Sequence, residues 1–204
     1  MSGIRRSAPP PAHYSAFDMT PGTHTWRTGL GTLACCCLLS TTSLAATNQE
    51  QPEGPLIQLR QHTEAALARG DLRSAEMLIE TFLPAAQRLA DPTWQLFIGH
   101  RIACRIKLGL NKLDEAAEHS RAMSAIVTRS KRTDTMENAI AAITEAQVLQ
   151  KQGRPAAAAD MTRTAITALR RAHERGRITR RTFETELLAY EEVLIQATTT
   201  RATP

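Results

Sequence analysis

One pattern occurs three times in this chain, as Arg69-Gly70-Asp71-Leu72-Arg73-Ser74-Ala75, Leu110-Asn111-Lys112-Leu113-Asp114-Glu115-Ala116 and Gln152-Gly153-Arg154-Pro155-Ala156-Ala157-Ala158. In each copy a turn residue joins two helix-like stretches, and an alanine follows five positions later. The turn residues Gly70, Asn111 and Gly153 are 41 and 42 residues apart. A helix, a tight turn and a helix that recur at nearly constant period are typical of an α-helical repeat array.

The composition agrees with an all-α chain. The 204 residues are enough for one domain of ordinary size, and only 4% of them are aromatic. Few large rings and many small side chains suit closely packed helices better than a β-sandwich. The net charge of +5 is mild, and a concentrated basic face with aromatic or motif support is missing. We therefore expect no nucleic-acid partner.

The N-terminal region predicts export. Residues 28–49 contain no charged side chain, Arg27 precedes them, and residues 30–39 form a short apolar core that small residues follow. A positive segment, a short apolar segment and a small-residue cleavage site make up a secretory signal peptide. We predict a cleavable signal over residues 19–46, cut near Ala45, and a periplasmic or secreted mature protein.

Two alternatives to a cleavable signal remain open. A transmembrane anchor needs about 20 strongly apolar residues, whereas residues 40–43 are serine and threonine. A lipoprotein signal would place leucine three positions before its modified cysteine, and Thr32 stands three before Cys35. Membrane association is expected only if the signal is uncleaved or lipidated. Translation from Met19 rather than Met1 would give the signal an ordinary length, so residues 1–18 are predicted to be a disordered upstream extension.

After a polar linker at residues 47–54, apolar spacing predicts seven helices between residues 55 and 197. Pro55 suits the first position of the first helix, and Asp71 caps the second. Pro84 should kink or end the second helix. The third helix opens at Asp91-Pro92, and its apolar stripe is the richest in the chain. That stripe consists of Trp94, Phe97, Ile98, Ile102 and Ile106.

Capping patterns predict the later helix starts. Asp134 and Glu137 form a candidate capping box before the fifth helix, while Thr179 caps the seventh, with Ile178 and Phe183 as a hydrophobic staple. The apolar stripe of the seventh helix is Phe183, Leu187, Tyr190, Leu194 and Ile195. An odd last helix is what a solenoid uses to cover its exposed end. Residues 198–204 are predicted to be a disordered tail.

The three units resemble tetratricopeptide repeats. In that family each helical hairpin has a small residue in its first helix, a turn that often contains glycine, and an alanine five positions after it. The alanines here are Ala75, Ala116 and Ala158, and the small residues are Thr63, Cys104 and Ala146. The resemblance covers residues 55–175, but the period exceeds the family's roughly 34 residues, most of the family's tryptophan and tyrosine positions are unfilled, and Pro84 interrupts a second helix. It implies hairpins stacked as a short right-handed solenoid with a C-terminal capping helix; a plain antiparallel bundle is the alternative.

No pattern in the chain predicts catalysis. A nucleophile with its base, paired carboxylates, a metal shell and a phosphate loop are all missing. His62, His100, His119 and His173 are scattered singly, so each is expected to be a surface or half-buried helix residue. Cys104 lies four residues after His100, but two ligands without a third do not make a metal site, and we expect a buried thiol. We predict no catalytic residue, no metal and no cofactor.

The resemblance implies that the first helices of the units line a concave, peptide-binding face. Arg101 and Arg105 lie four residues apart on the third helix, and Arg60 holds the position equivalent to Arg101 in the first unit. Such a row could bind the carboxylates of an acidic or C-terminal peptide through paired hydrogen bonds. The alternative is that these are solvated helix arginines.

A second basic cluster surrounds the end of the sixth helix. Its members are Arg163, Arg170, Arg171, Arg175, Arg177, Arg180 and Arg181. Pairing with the glutamates between residues 184 and 192 would explain it, at about 0.2–1 kcal/mol for each exposed pair. The alternative is an anionic partner, including lipid headgroups, bound at Arg171, Arg175 and Arg177.

We therefore predict an exported, non-catalytic scaffold that binds a protein or peptide partner through a helical-repeat groove. The alternative from another class is a helical-bundle sensor or small-ligand-binding protein of the cell envelope, with a central pocket. A third is an accessory subunit whose activity belongs to its partner.

Overall fold

A computed structural model of the protein describes residues 53–131 and 135–199. The predicted upstream extension, the predicted signal peptide, Asp134 of the predicted capping box and the end of the tail lie outside these residues. All of the described residues belong to one compact unit.

The described residues form seven helices and no strand, which confirms the all-α prediction and the number of helices. They are α1 (Glu53–Ala68), α2 (Leu72–Gln87), α3 (Thr93–Gly109), α4 (Leu113–Arg129), α5 (Met136–Lys151), α6 (Pro155–Glu174) and α7 (Arg180–Thr199). None of these helices is long and apolar enough to cross a membrane.

The recurring pattern forms the same turn after α1, α3 and α5. Gly70, Asn111 and Gly153 adopt left-handed φ values of +75°, +58° and +72°. Asparagine adopts this conformation at lower cost than most side chains, which explains how it replaces glycine in the middle copy. The amide after each turn residue donates to a carbonyl five residues earlier, as in a Schellman motif. These bonds join Asp71 to Ala66 (3.0 Å), Lys112 to Lys107 (2.8 Å) and Arg154 to Leu149 (2.9 Å).

Small side chains fill the equivalent positions on both sides of each turn. Ala75, Ala116 and Ala158 are all fully buried, as are Thr63, Cys104 and Ala146 in the first helices. In the middle unit, Cys104 and Ala116 pack together with Val148 of α5. The predicted burial of Cys104 is therefore confirmed, and small residues are what allow close helix approach at this junction.

The helices pack in sequence order. Each helix contacts the next one along the chain, and further contacts join α1 to α3, α3 to α5, and α5 to α7. Within the described chain, α2, α4 and α6 make no contact with one another. One core cluster joins α1, α2 and α3 around Phe82 and Ile106, and another joins α5, α6 and α7 around Leu169 and Tyr190.

Two predicted helix boundaries are corrected. The first helix begins at Glu53 rather than Pro55, so Pro55 is its third residue, where a missing amide proton is still tolerated. The second helix does not end at Pro84, since α2 continues to Gln87. Pro84 is exposed and lies in the last turn of α2, so little helix remains to be disturbed.

Two residues of the predicted apolar stripes are exposed. Trp94 is 45% exposed at the start of α3, where its ring stacks on the buried Phe97 with 6.1 Å between centroids. Ile195 is 62% exposed on α7. Trp94 lies in the first turn of α3. Ala197 is nearer to the end of α7 than Ile195 and is buried, so Ile195 lies on the side of α7 away from α5 and α6.

The predicted start of α7 is confirmed. The Thr182 amide donates to Thr179 Oγ1 at 3.1 Å, and the Phe183 amide donates to the Thr179 carbonyl at 2.9 Å. Ile178 and Phe183 both pack against the α5–α7 core cluster. The cap therefore directs α7 onto the hairpin formed by α5 and α6.

Candidate partner-binding site

The predicted partner-binding arginines lie on two helices that contact each other. Arg60 is on α1, and Arg101 and Arg105 are on α3. Both α3 arginines are exposed, and no carboxylate of the described residues lies within ion-pair distance of either. Their guanidinium groups are therefore available to an external carboxylate. That all three line one groove stays a prediction.

Arg60 is less accessible than the other two. Its side chain is half-buried, and its Nε is shielded from solvent without a hydrogen-bond partner among the described residues. An unmade hydrogen bond at a buried charged group costs on the order of 1–3 kcal/mol or more. A partner's carboxylate oxygen that reached this nitrogen would remove that cost.

Tyr190 of α7 lies within electrostatic reach of Arg101. The tyrosine is 3% exposed, and its buried hydroxyl lacks a hydrogen-bond partner among the described residues. Burial raises the pKa of Tyr190 and the charge of Glu186 adds to this, while the positive charge of Arg101 opposes both. The charge of Arg101 on α3 therefore acts on α7, and α5 contacts both of these helices.

The second predicted patch lies at the α6–α7 junction. Arg171 is in the last turn of α6, and Arg175 and Arg177 follow in the connection. All three are exposed. The predicted pairing with the acidic helix occurs at Arg180, whose Nε is 2.7 Å from Glu184 Oε1. In the described part of the chain, Arg171 and Arg177 have no carboxylate within ion-pair distance.

Two histidines that were predicted to stand alone form a pair between α3 and α4. His100 Nδ1 and His119 Nδ1 are 3.1 Å apart, and the ring centroids are separated by 5.3 Å. Both rings are half-buried, as predicted, but the prediction of isolated residues is wrong for these two. Burial lowers the pKa of His100 to about 4, with a contribution from His119, and burial also lowers the pKa of His119. Both rings are therefore neutral at pH 7, so one Nδ1 donates its proton to the other.

The histidine pair could have been sought in the sequence from hairpin geometry. His100 precedes Asn111 by about three helical turns, and His119 follows it by about two. An antiparallel hairpin brings residues at similar distances from its turn near each other. Which faces of the two helices meet still depends on packing.

A buried lysine joins three helices beside this pair. Lys107 is 5% exposed, and its Nζ donates to Glu76 of α2 at 2.5 Å and contacts Glu115 of α4 at 2.6 Å. Glu80 lies 3.7 Å from the same nitrogen, and Lys112 contacts Glu76 at 2.7 Å. We refer to these five residues as the Lys107 cluster.

Lys107, Glu76 and Glu115 hold one another in their charged forms at neutral pH. Burial by itself lowers the pKa of Lys107, but hydrogen bonds to Glu115 and Glu76 outweigh burial and raise it overall. The same bonds hold the pKa of both glutamates below the usual range. The spacing of apolar residues did not predict that Lys107 is buried.

The described residues also line two recesses at the surface, away from the Lys107 cluster. One of about 220 Å³ lies between the start of α6 and the end of α7, lined by Pro155, Asp160 and Ala197 among others. One of about 50 Å³ lies beside Trp94 and Phe97. Neither is enclosed, so neither corresponds to the central pocket expected of the alternative sensor.

Residues 53–131 and 135–199 contain no group of three or more histidine, cysteine, aspartate or glutamate side chains placed to hold a metal ion. Comparison with known protein families, curated proteins and solved structures finds no match to this chain.

Proposed function

We propose that the protein is a non-catalytic scaffold that binds an acidic or C-terminal segment of a partner protein along its odd-numbered helices. The observation that carries this proposal is the pair of exposed arginines on α3, next to the half-buried Arg60 of α1. No carboxylate in the described part of the chain lies within ion-pair distance of Arg101 or Arg105. The signal-like residues 19–46 support export, so the partner would be a protein of the periplasm or the outside of the cell.

The packing order supports an open stack of tetratricopeptide-like hairpins. In a closed bundle the first and last helices meet, whereas here α1 contacts only α2 and α3, and α7 contacts only α5 and α6. The shared turn geometry and the buried alanine after each turn support equivalent hairpins. In such a stack the odd-numbered helices present one continuous surface, and α7 covers its end.

The chemistry of the site favours a carboxylate. A guanidinium binds a carboxylate through two parallel hydrogen bonds, and each bond to a charged group contributes about 1.5–3 kcal/mol. Arg101 and Arg105 are one helical turn apart, so they can bind successive acidic groups, or one side chain and a terminal carboxylate.

The test is capture of partners from an envelope extract by the full chain and by an Arg60→Ala, Arg101→Ala, Arg105→Ala variant. We expect a specific protein to be retained by the wild type and lost by the variant, with unchanged helical circular dichroism. The matched control replaces Arg171, Arg175 and Arg177 by alanine, which removes the same charge at the other patch.

The C-terminal segment of a captured protein is then synthesised as a peptide, with either a free or an amidated C-terminus. Weaker binding of the amidated peptide would identify the terminal carboxylate as the bound group. Equal loss of capture in both triple variants would contradict the proposal, because net charge rather than the α1–α3 surface would then explain retention.

A further inference from the structure

We propose that His100 and His119 together form a binding site for one divalent transition-metal ion, of the class that prefers imidazole ligands, such as Cu²⁺ or Ni²⁺. The site lies between α3 and α4, away from the proposed peptide surface, and does not depend on the proposed function. A bound ion would link α3 to α4 across the middle hairpin.

The spacing of the two nitrogens suits a shared ion. Metal–imidazole bonds are about 2.0–2.1 Å long. Two such bonds that meet at an angle between a right angle and a tetrahedral one place the nitrogens about 2.8–3.4 Å apart. His100 Nδ1 and His119 Nδ1 are 3.1 Å apart, which lies within this range.

The protonation state also suits metal binding. The two rings are neutral at pH 7, since burial lowers both pKa values. One Nδ1 already offers its lone pair, while the other holds the proton of their hydrogen bond. When the ion binds both Nδ1 atoms, that proton moves through solvent to Nε2 of the same ring, so no net proton is released.

The charges around His119 act on an added cation in both directions. Lys107 opposes positive charge there most strongly, whereas two carboxylates, Glu118 and Glu115, favour it. An ion at the pair would therefore have two carboxylates of α4 nearby as well as the lysine of α3.

Cys104 is not a third ligand, although it lies one turn after His100. Its side chain is fully buried against Ala116 and Val148, and burial raises the pKa of its thiol to about 12. A thiol in this environment does not form the thiolate that metals bind. Water therefore completes the coordination. The proposal departs from the sequence-based expectation that two ligands without a third do not make a metal site, because Cu²⁺ and Ni²⁺ bind imidazole more tightly than most first-row divalent ions, with Cu²⁺ above Ni²⁺.

The test is electron paramagnetic resonance of Cu²⁺ added at one equivalent to the untagged full chain. In all samples Cys35, Cys36 and Cys37 are replaced by serine, so that these thiols do not compete. We expect nitrogen hyperfine coupling from two imidazoles in the parent protein. His100→Gln and His119→Gln should each reduce the coupling to that of one imidazole or none. The matched control replaces the exposed His62 of α1 by glutamine and should leave the coupling unchanged.

A second readout follows metal binding through stability. Ni²⁺ should raise the Tm of the parent and of His62→Gln by a few degrees, because an ion that binds only the folded state stabilises it, and should not raise that of His100→Gln or His119→Gln. The parent spectrum is decisive even if a variant fails to fold. A parent spectrum without two-imidazole coupling, or one that survives both substitutions, would overturn the proposal.

Discussion

The charge state of His100 is set by its position between two helices. An exposed histidine has a pKa near 6.5, whereas burial beside His119 lowers the pKa of His100 to about 4. Protons are therefore bound more readily by the unfolded chain than by the folded one. The groups that face His119 act in both directions, since Lys107 lowers its pKa and Glu115 and Glu118 raise it.

We therefore expect the metal-free protein to lose stability on acidification. The contribution of His100 is complete above about pH 6.5 and declines as the pH falls toward about 4, because the folded state resists protonation over this range. The loss should be about 1–3 kcal/mol, reduced by the partial solvent contact of the ring. Urea unfolding at pH 7 and pH 5 in the presence of a chelator measures it.

His100→Gln provides the control for this pH dependence. Glutamine does not titrate, so the variant should retain only the pH dependence that both proteins share, which comes from His119 and the carboxylates. An equal loss of stability in the two proteins between pH 7 and pH 5 would show that His100 does not carry the effect.

At the scale of single helices and turns, local chemistry accounts for most of the observed boundaries. Gly70, Asn111 and Gly153 end three helices in the same way, because each can adopt a left-handed conformation. Thr179 starts α7 through its side-chain hydroxyl. Pro84 is the exception, since α2 continues through it for three more residues.

Pro84→Ala should stabilise the protein. Proline within a helix lacks an amide proton and its ring crowds the preceding turn, at a cost of about 3 kcal/mol in a helix interior. In the last turn of α2 we expect a gain of about 1–2 kcal/mol, since the exposed ring of Pro84 has little packing to lose. Thermal unfolding of the wild type and the variant measures the difference.

Gln87→Ala is the matched substitution for Pro84, because it replaces another exposed residue in the same turn of α2. It should change Tm very little. A Pro84→Ala protein with the same or a lower Tm than Gln87→Ala would show that proline at this site supports the fold rather than strains it.

At the scale of the whole described unit, α7 has a distinct position. It contacts α6 and α5, and Tyr190 and Ala197 are buried against them. Phe183, Leu187 and Leu194 pack against the core cluster of these helices. Without α7, an apolar face of the α5–α6 hairpin would be exposed to solvent.

Removal of residues 180–204 should therefore destabilise the remaining chain. Full burial of one large apolar side chain contributes about 1.5–3 kcal/mol, so the loss of several contacts amounts to about 5 kcal/mol or more. We expect a lower Tm and increased binding of a hydrophobic fluorescent dye. A chain that lacks only residues 200–204 is the control and should have the Tm and dye binding of the wild type. Unchanged Tm and dye binding in the chain without α7 would show that α7 does not cover an apolar face.

The amino-acid sequence by itself determined the helices, the three equivalent turns and the buried small residues around them. Each of these features depends on neighbours along the chain: a left-handed residue, a capping hydroxyl, or apolar side chains at helical spacing. The sequence also identified Arg60 and Arg101 as candidates, because both lie ten residues before a turn residue, and Arg105, because it lies one helical turn after Arg101.

Only the tertiary structure decided which helix faces meet. It paired His100 with His119, buried Lys107 among the glutamates of its cluster, and left Trp94 exposed at the edge of an apolar stripe. These outcomes depend on how far each neighbouring helix extends and how it is rotated. Local spacing specifies neither, since a helix with apolar residues on one face can pack against its neighbours in more than one register.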